Sequence, residues 1–387
     1  MVNKRIFLDH ASTTPVRPEV IELISEAYQR FIGNPSSLHR FGQESRRALE
    51  EAREKIAGLL GCHPDELFFT SGGTEANNMA IKGVARALSE KGTHLVATAV
   101  EHHSVLDACR SLEREGFSIS LVPVDSYGRI VIEAFREALT PQTILASVMH
   151  GQNEVGTLEP VSEIGEIARS FGVPLHSDAV QTVGRIPVLV DTLGVDLLSL
   201  SSHKFGGPKG VGALYVRRGT PCFPLIHGGN QEEGRRPGTE NLAGILGMAR
   251  ALELSMLELE DGDRRLHMLR TRFIQLLRES VPRARVNGHP SLFLQGIISV
   301  TLPGVPAEEV LICLDQEGIA ASAGAACVSG ALEPSHVLLS MGLTRKEAEA
   351  TIRISPGKEN DVEDVEVVIR KIRGIVLRTG PSFVPPP

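Results

Sequence analysis

The first half of the chain alternates between short apolar runs and longer segments with helical spacing. The apolar runs have the length of strands and lie at 66–70, 94–98, 118–124, 143–149, 173–177 and 195–200. The helical segments lie before, between and after them, at 18–31, 43–60, 76–88, 105–115, 132–139 and 162–171. Repeated strand–helix units predict an α/β fold, with a mostly parallel central sheet and helices on both faces.

The pattern changes after Val216. A polar, glycine-rich loop at 228–238 precedes two helical segments at 239–260 and 263–280. Beyond residue 283, short strands at 297–302 and 320–322 mix with helices at 307–317, 335–341, 345–350 and 362–377. We therefore predict a large domain of residues 15–262 and a smaller α+β domain of residues 1–14 and 263–378. The proline-rich residues 379–387 are predicted to be a disordered tail.

Composition narrows the class of protein. The chain has 387 residues and a net charge of −7, so no basic surface indicates nucleic acid or an anionic membrane. No apolar run approaches ~18 residues, and the N-terminus does not read as a signal peptide. The five cysteines contain no C-x-x-C pair, which argues against a disulfide framework and against a zinc site. We expect a cytoplasmic enzyme without a metal.

A lysine follows the last apolar run of the alternating half. The stretch at 199–212, SLSSHKFGGPKGVG, places Lys204 beside Ser201 and His203 and then breaks into glycines. A partly desolvated lysine beyond a buried strand has a lowered pKa and suits Schiff-base chemistry. The same residues would also fit a lysine on a solvated loop.

A second motif joins the strand at 66–70 to the next helix. The segment at 71–78, SGGTEANN, puts small residues at a helix start, where free N–H groups and the helix dipole favour an anion. Gly73 and Thr74 are the candidate ligands of a phosphate. The alternative is a helix cap by Thr74 with nothing bound.

Polar side chains follow successive predicted strands. They are His102, Asn153, Asp178 with Gln181, and Ser201 to Lys204, and in an open α/β sheet they meet at one edge. Pyridoxal 5'-phosphate would use them together. It needs a phosphate cradle (Gly73, Thr74, Ser201 and His203), a lysine for its aldehyde, and a carboxylate such as Asp178 for its ring nitrogen. Each residue alone has an ordinary structural interpretation.

At this point the chain resembles a known family, the cysteine desulfurases of the class V, fold-type I pyridoxal-phosphate enzymes. The resemblance is to the branch that serves nitrogen fixation and housekeeping iron–sulfur assembly, and it extends from Phe7 to about Val376. Its motifs are LDHASTTP (8–15), GNPSSLHRFG (33–42), FTSGGTEANNMAIKG (69–83), EHHSVL (101–106), NEVGT (153–157), HSDAVQTVG (176–184), SSHKFGGPKGVGALYVR (201–217), RPGTEN (236–241), SAGAACVSGALEPSHVL (322–338) and IRIS (352–355).

The resemblance implies a role for each matched residue. Lys204 would hold the cofactor as a Schiff base and move the substrate's Cα proton, and His102 would stack on the ring. Asp178 would pair with the ring nitrogen and Gln181 with the phenolic oxygen. The phosphate would lie against Gly73, Thr74, Ser201 and His203, with Thr239 reaching in from the other subunit of a homodimer. Asn153 and Arg353 would bind the carboxylate of L-cysteine.

Cys327 selects the reaction. It lies in a run of Ala, Gly and Ser at 321–331, which a large side chain does not anchor, so a mobile thiol is expected. The other interpretation is a small buried cysteine. By resemblance, Cys327 would take the sulfur of L-cysteine as a persulfide, release L-alanine, and pass the sulfur to an acceptor such as an iron–sulfur scaffold protein.

Two alternatives stay open within the enzymes, and one outside them. A selenocysteine lyase or a class V aminotransferase for a small amino acid would use the same cofactor residues, although an aminotransferase needs no mobile thiol. A non-catalytic scaffold would not need Lys204, Asp178, His102 and Cys327 together. The sequence at 376–387, VLRTGPSFVPPP, lacks the ending with which housekeeping members engage their scaffold.

Overall fold

The computed structural model describes residues 4–324 and 334–379. Its largest sheet has seven strands, in the order β2-β8-β7-β6-β5-β3-β4. The first eight strands of the chain are β1 Ile6–Phe7, β2 Leu67–Thr70, β3 His94–Thr98, β4 Ser118–Val122, β5 Thr143–Ser147, β6 Leu175–Asp178, β7 Leu197–Ser201 and β8 Gly212–Val216. Of the seven, β8 runs antiparallel to both of its neighbours and the other pairings are parallel. This confirms the predicted mostly parallel sheet.

Helices cover both faces of this sheet because alternate strand residues point to opposite sides. Phe68 and Leu214 belong to a core with α3 and α4, whereas their chain neighbours Phe69 and Ala213 belong to a core with α2, α6 and α8. The helices of this part are α1 Pro18–Arg30, α2 Arg40–Leu60, α3 Gly73–Ala87, α4 His103–Glu113, α5 Ile132–Ala138, α6 Val161–Ser170, α7 Val190–Leu193 and α8 Leu242–Leu257. The next helix, α9 Leu259–Ser280, contributes Leu269, Phe273 and Leu277 to a different core.

A separate hydrophobic core forms around a second sheet. Its antiparallel strands pair in the order β12-β13-β10-β9. The remaining elements are β9 Arg285–Asn287, β10 Ile298–Thr301, β11 Ile319–Ala320, β12 Ser322–Ala323, β13 Thr351–Ile354, α10 Ala307–Gln316, α11 His336–Ser340, α12 Arg345–Glu349 and α13 Val362–Thr379. The N-terminal arm, residues 5–14, contributes Ile6 and Leu8 to this core, and β1 pairs with β11. The domain boundaries at residues 14/15 and 262/263 stay a prediction.

Some elements differ from the sequence prediction. The strand β13 was not predicted, although its residues Thr351–Ile354 are all buried. Helix α3 begins at Gly73 instead of residue 76, and α8 begins at Leu242 instead of residue 239, after a cap in which Asn241 accepts the N–H of Gly244. Helix α13 extends to Thr379, and the rest of the predicted tail lies outside the described residues. Within the described ranges, no helix has the length and apolar character needed to cross a membrane.

Candidate active site

A cavity of about 340 Å³ opens at the carboxyl edge of the large sheet. Asp178 ends β6 and Ser201 ends β7, so parallel strand ends deliver both residues to the same place, as the sequence predicted. The lining residues come from both halves of the chain: Ala11, Ser12, Gly73, Thr74, Asn77, His102, Ser104, Met149, Asn153, Asp178, Val180, Gln181, Ser201, His203, Lys204, Gly324 and Arg353.

Lys204 ends a single 3-10 turn, Ser202–Lys204, directly after β7. Its amine donates to the carbonyl oxygens of Ala11 at 2.6 Å and Ser12 at 2.8 Å. Both acceptors belong to the N-terminal arm, almost two hundred residues away in the chain. The arm therefore fixes the lysine nitrogen at the cavity wall.

Asp178 lies in a network of uncharged donors. Its Oδ2 accepts from Asn77 Nδ2 at 2.7 Å, and its Oδ1 accepts from the N–H of Val180 at 2.9 Å. The same Asn77 nitrogen donates to Ser104 Oγ at 2.8 Å, which in turn contacts His102 Nδ1 at 2.7 Å. The carboxylate is 5% exposed and has a fixed orientation, so it can receive a cation from the cavity.

His102 caps α4, and its Nδ1 accepts the N–H of Ser104 at 3.1 Å. Because Nδ1 is the acceptor, the neutral ring carries its proton on Nε2. Burial lowers the pKa of His102; the charge of Lys204 lowers it further, while Asp178 opposes the shift. His102 is therefore neutral at physiological pH.

The N-terminus of α3 forms the polar end of the cavity. A Cβ on Gly73 would lie 2.7 Å from Val180 Cγ2, so a side chain at this position would close the approach to the helix N–H groups. Thr74 and Ser201 line the wall beside it. His203 contacts Thr13 Oγ1 at 3.1 Å, and burial together with nearby positive charges lowers the pKa of His203 to about 4. A phosphate here would meet dipoles and a neutral imidazole.

Arg353, on strand β13, also lines the cavity, and its guanidinium already donates to three acceptors. It donates to the carbonyl of Asn153 at 2.8 Å, to Asp9 Oδ1 at 3.0 Å and to Ser12 Oγ at 2.6 Å. Its Nε is buried without a partner among the described residues. A carboxylate ligand would meet a guanidinium that is 3% exposed and held in position.

For two predicted residues the described structure gives no contact with this cavity to test. Thr239 is exposed and does not line it, which leaves its predicted role toward a second subunit untested. Cys327 lies outside the described residues; Gly324, the last described residue before it, lines the cavity.

Sequence reasoning missed several contributors. Asn77 and Ser104 hold Asp178 and His102, and the carbonyls of Ala11 and Ser12 hold Lys204. One signal was available, since Asn77 is a buried polar residue in the alanine-rich face of α3. The described residues contain no cluster of three or more His, Cys, Asp or Glu able to hold a metal.

Fold and site together define an enzyme with fold-type I architecture, with its cavity at the carboxyl edge of a mostly parallel sheet. Residues 6–368 match the family model described as aminotransferase class V. The chain is 49% identical over 380 residues to the cysteine desulfurase IscS of Dictyoglomus turgidum, covering 98% of this chain and 96% of that protein. It is 45% identical to the cysteine desulfurase IscS of Methanosarcina thermophila, covering 97% of this chain and 93% of the relative.

Solved structures agree with these relatives. A NifS-like protein superposes with a TM-score of 0.91 at 38% identity, covering 96% of this chain and 99% of that one. The structure titled SspA in complex with cysteine superposes with a TM-score of 0.82 at 35% identity, covering 92% and 99%. The chain belongs to the class V aminotransferase family and, within it, to the cysteine desulfurases.

Proposed function

We propose that this protein is a pyridoxal-phosphate-dependent cysteine desulfurase, which converts L-cysteine to L-alanine and delivers the sulfur to an acceptor. One observation carries the proposal. The amine of Lys204, the carboxylate of Asp178 and the N-terminus of α3 line one cavity, which is the set of groups that this cofactor needs. The relatives named cysteine desulfurase cover almost the whole chain and supply the substrate.

The described residues fit the cofactor. The N–H groups at the start of α3, with Thr74, Ser201 and His203, would hold the phosphate, and the glycine at position 73 leaves the space for it. Asp178 would pair with the ring nitrogen, Gln181 would donate to the phenolic oxygen, and His102 would stack on the ring. When bound, the cofactor supplies an electron sink for the carbon from which a proton is removed.

The chain's own residues would bind the substrate and move its protons. Arg353 would hold the carboxylate of L-cysteine with Asn153 beside it. The Lys204 amine would take the proton from the substrate's Cα, because the arm carbonyls hold this amine at the cavity wall. His102 is neutral, with its proton on Nε2, and can assist by giving that proton to a neighbouring atom.

Sulfur transfer needs a thiol, and we assign it to Cys327. Its thiolate would attack the sulfur of L-cysteine, so that the new S–S bond forms as the C–S bond breaks. The electron pair of the broken bond stays with carbon, which takes up a proton and leaves in L-alanine, and Cys327 retains the sulfur as a persulfide. The other cysteines do not line the cavity; they are Cys62, Cys109, Cys222 and Cys313.

Several finer features belong to the same proposal. The working unit would be a cytoplasmic homodimer in which the exposed Thr239 completes the phosphate site of the other subunit. The acceptor would be a protein such as an iron–sulfur scaffold. A selenocysteine lyase or a small-amino-acid aminotransferase is the alternative within the same family.

The test measures alanine and sulfide released from L-cysteine in the presence of a thiol reductant. Wild type, Cys327→Ala and the control Cys313→Ala are compared, and the cofactor's visible absorption shows that each variant is loaded. We expect wild type and Cys313→Ala to make both products, and Cys327→Ala to change the cofactor spectrum with L-cysteine without releasing sulfide. Full activity in Cys327→Ala would refute the assignment and favour direct elimination as in a lyase. Transfer of the amino group to a keto acid would favour an aminotransferase.

A further inference from the structure

Arg185 lies behind the cavity and connects three segments of the site. Its Nη1 donates to Gln181 Oε1 at 3.1 Å, and its Nη2 donates to the carbonyls of His10 at 2.9 Å and Lys204 at 3.2 Å. These acceptors belong to the arm, to the turn after β6 and to the turn after β7. The resemblance assigned no role to this residue.

The contact with Gln181 fixes the orientation of its amide. A guanidinium can only donate, so it selects the carbonyl end of the amide, Oε1. On the other end, Gln181 Nε2 donates to the carbonyl of Ala11 at 2.9 Å, which can only accept. An amide flipped by 180° would place two donors together and two acceptors together, so one orientation is selected.

The same carbonyl brings Gln181 next to the lysine. Ala11 O accepts both from Gln181 Nε2 at 2.9 Å and from Lys204 Nζ at 2.6 Å. The two nitrogens therefore lie on a shared acceptor at the cavity wall. The phenolic oxygen of the cofactor would lie next to the carbon that is joined to Lys204. In the selected orientation, Gln181 would present its N–H donor to this oxygen and not its carbonyl.

Arg185 can donate to Gln181 Oε1 across the working pH range. Burial, with the charge of Arg353, lowers the pKa of Arg185 to about 10, so it stays protonated at neutral pH. Among the described residues, the titratable and charged side chains that line the cavity are His102, Asp178, His203, Lys204 and Arg353, with Asp9 paired to Arg353.

We infer that Arg185 is a positioning residue that presents the amide nitrogen of Gln181 to the phenolic oxygen of the bound cofactor. The inference rests on the proposed function, because it needs pyridoxal 5'-phosphate bound at Lys204. A donor to that oxygen weakens the oxygen's hold on the proton of the neighbouring lysine–cofactor nitrogen. Loss of the donor should therefore raise the pH at which the cofactor's visible absorption changes.

The experiment is a double-mutant cycle on the purified protein loaded with pyridoxal 5'-phosphate. The pH midpoint of the visible absorption change is measured for wild type, Arg185→Met, Gln181→Met and the double variant. We expect each single change to raise the midpoint by about one pH unit, equivalent to ~1.4 kcal/mol. If Arg185 acts through Gln181, the double variant should also shift by about one unit, because the second change removes nothing more.

Arg270→Met is the matched control. Arg270 is a buried arginine that donates to the backbone carbonyl of Ile297, and burial lowers its pKa to about 10 as well, but it does not line the cavity. Its midpoint should equal that of wild type. If Arg185→Met fails to fold, Arg185→Lys takes its place in the cycle, since one ammonium group cannot hold three acceptors.

Additive shifts of about two units in the double variant would overturn the inference, and so would single variants that titrate as wild type does. Failure of the cofactor assignment gives a different result, because wild type would then bind no pyridoxal 5'-phosphate and show no visible band. Failure of the desulfurase reaction alone is read separately, from the alanine and sulfide assay, and leaves this titration unchanged. A band with additive shifts leaves the proposed function standing and removes Arg185 from the site.

Discussion

Asn77 gives the most direct test of how the site is organised. Its single Nδ2 group donates to Asp178 Oδ2 at 2.7 Å and to Ser104 Oγ at 2.8 Å, and its Oδ1 is buried without a partner among the described residues. In Asn77→Ala, Asp178 keeps only the N–H of Val180 as its donor in the described structure. The carboxylate then loses its fixed direction, and the contact between Asp178 and His102 through Ser104 is broken.

The magnitude follows from the kind of bond that is lost. A hydrogen bond to a charged group contributes about 1.5–3 kcal/mol, and each 1.4 kcal/mol is a factor of ten in an equilibrium constant. Part of this loss falls on both the free and the loaded protein and cancels in the affinity. We therefore expect the lower end of the range, about a tenfold weaker affinity for pyridoxal 5'-phosphate. In Asn77→Asp, a second carboxylate faces Asp178; the affinity should fall further and recover as acid protonates one of the pair.

The assay is equilibrium dialysis or visible absorbance, because the chain has no tryptophan to report binding by fluorescence. Asn78→Ala is the control, since Asn78 is the half-buried neighbour on the same helix. Among the described residues its amide donates only to backbone carbonyls, of Thr74 at 3.0 Å and Ser104 at 3.4 Å. Asn78→Ala should bind as wild type does. Equal affinities for Asn77→Ala and Asn78→Ala would show that the network does not organise Asp178.

Three further predictions concern stability and substrate binding. Burial raises the pKa of Glu159 to about 8, so the folded chain holds a proton that the unfolded chain releases above its ordinary pKa, and stability falls as pH rises toward 8. The free energy of unfolding of Glu159→Gln minus that of wild type, measured by chemical unfolding, should therefore increase by at least ~1.4 kcal/mol from pH 5 to pH 8.5. A difference that does not change with pH would contradict this. Glu232→Gln breaks a buried two-bond ion pair with Arg53 (2.7 and 2.8 Å) and should cost about 3 kcal/mol, measured as a lower calorimetric midpoint. The control, Glu366→Gln, breaks a solvent-accessible pair with Arg272 and should change the midpoint little. Asp9→Asn removes the negative charge that partly neutralises Arg353, so Arg353 should attract the carboxylate of L-cysteine more strongly. Because a single partly exposed ion pair is modest in strength, we expect the KM for L-cysteine to fall about threefold with kcat unchanged. A raised KM would show instead that Asp9 positions Arg353.

The periodic part of the fold followed from the sequence because its strands are buried on both faces. Strands β5 and β7 are buried along their full length, and such runs stand out against the amphipathic helices between them. The parallel order then brought Asp178, Ser201 and Lys204 to one edge. Strand β13 escaped prediction because its four residues, TIRI, carry an arginine at a buried position, and a short pattern interrupted by charge does not indicate a strand.

Side-chain partners could not be predicted in the same way. Asn77 and Asp178 are 101 residues apart, and nothing in either local pattern connects them. Arg353 was expected to bind a substrate carboxylate, and nothing in the sequence indicated that it would also pair with Asp9 and Ser12 of the arm. Contacts of this kind depend on how the two sheets meet, and hydrophobic periodicity carries no information about that.

The arm explains why the cationic side chains at the cavity are held in place without an ion pair to Asp178. Backbone carbonyls of residues 11 and 12 accept from Lys204, and the first of these also accepts from Gln181. The carbonyl of His10 accepts from Arg185, and the side chain of Asp9 pairs with Arg353. Neutral carbonyl dipoles orient the lysine and Arg185 without adding an anion beside them. Asp178 is therefore the one carboxylate among the described residues that line the cavity, and its uncharged donors leave it able to pair with a cation entering from the cavity. Because any residue supplies a carbonyl, this function of the arm depends on its path across the site more than on its side chains.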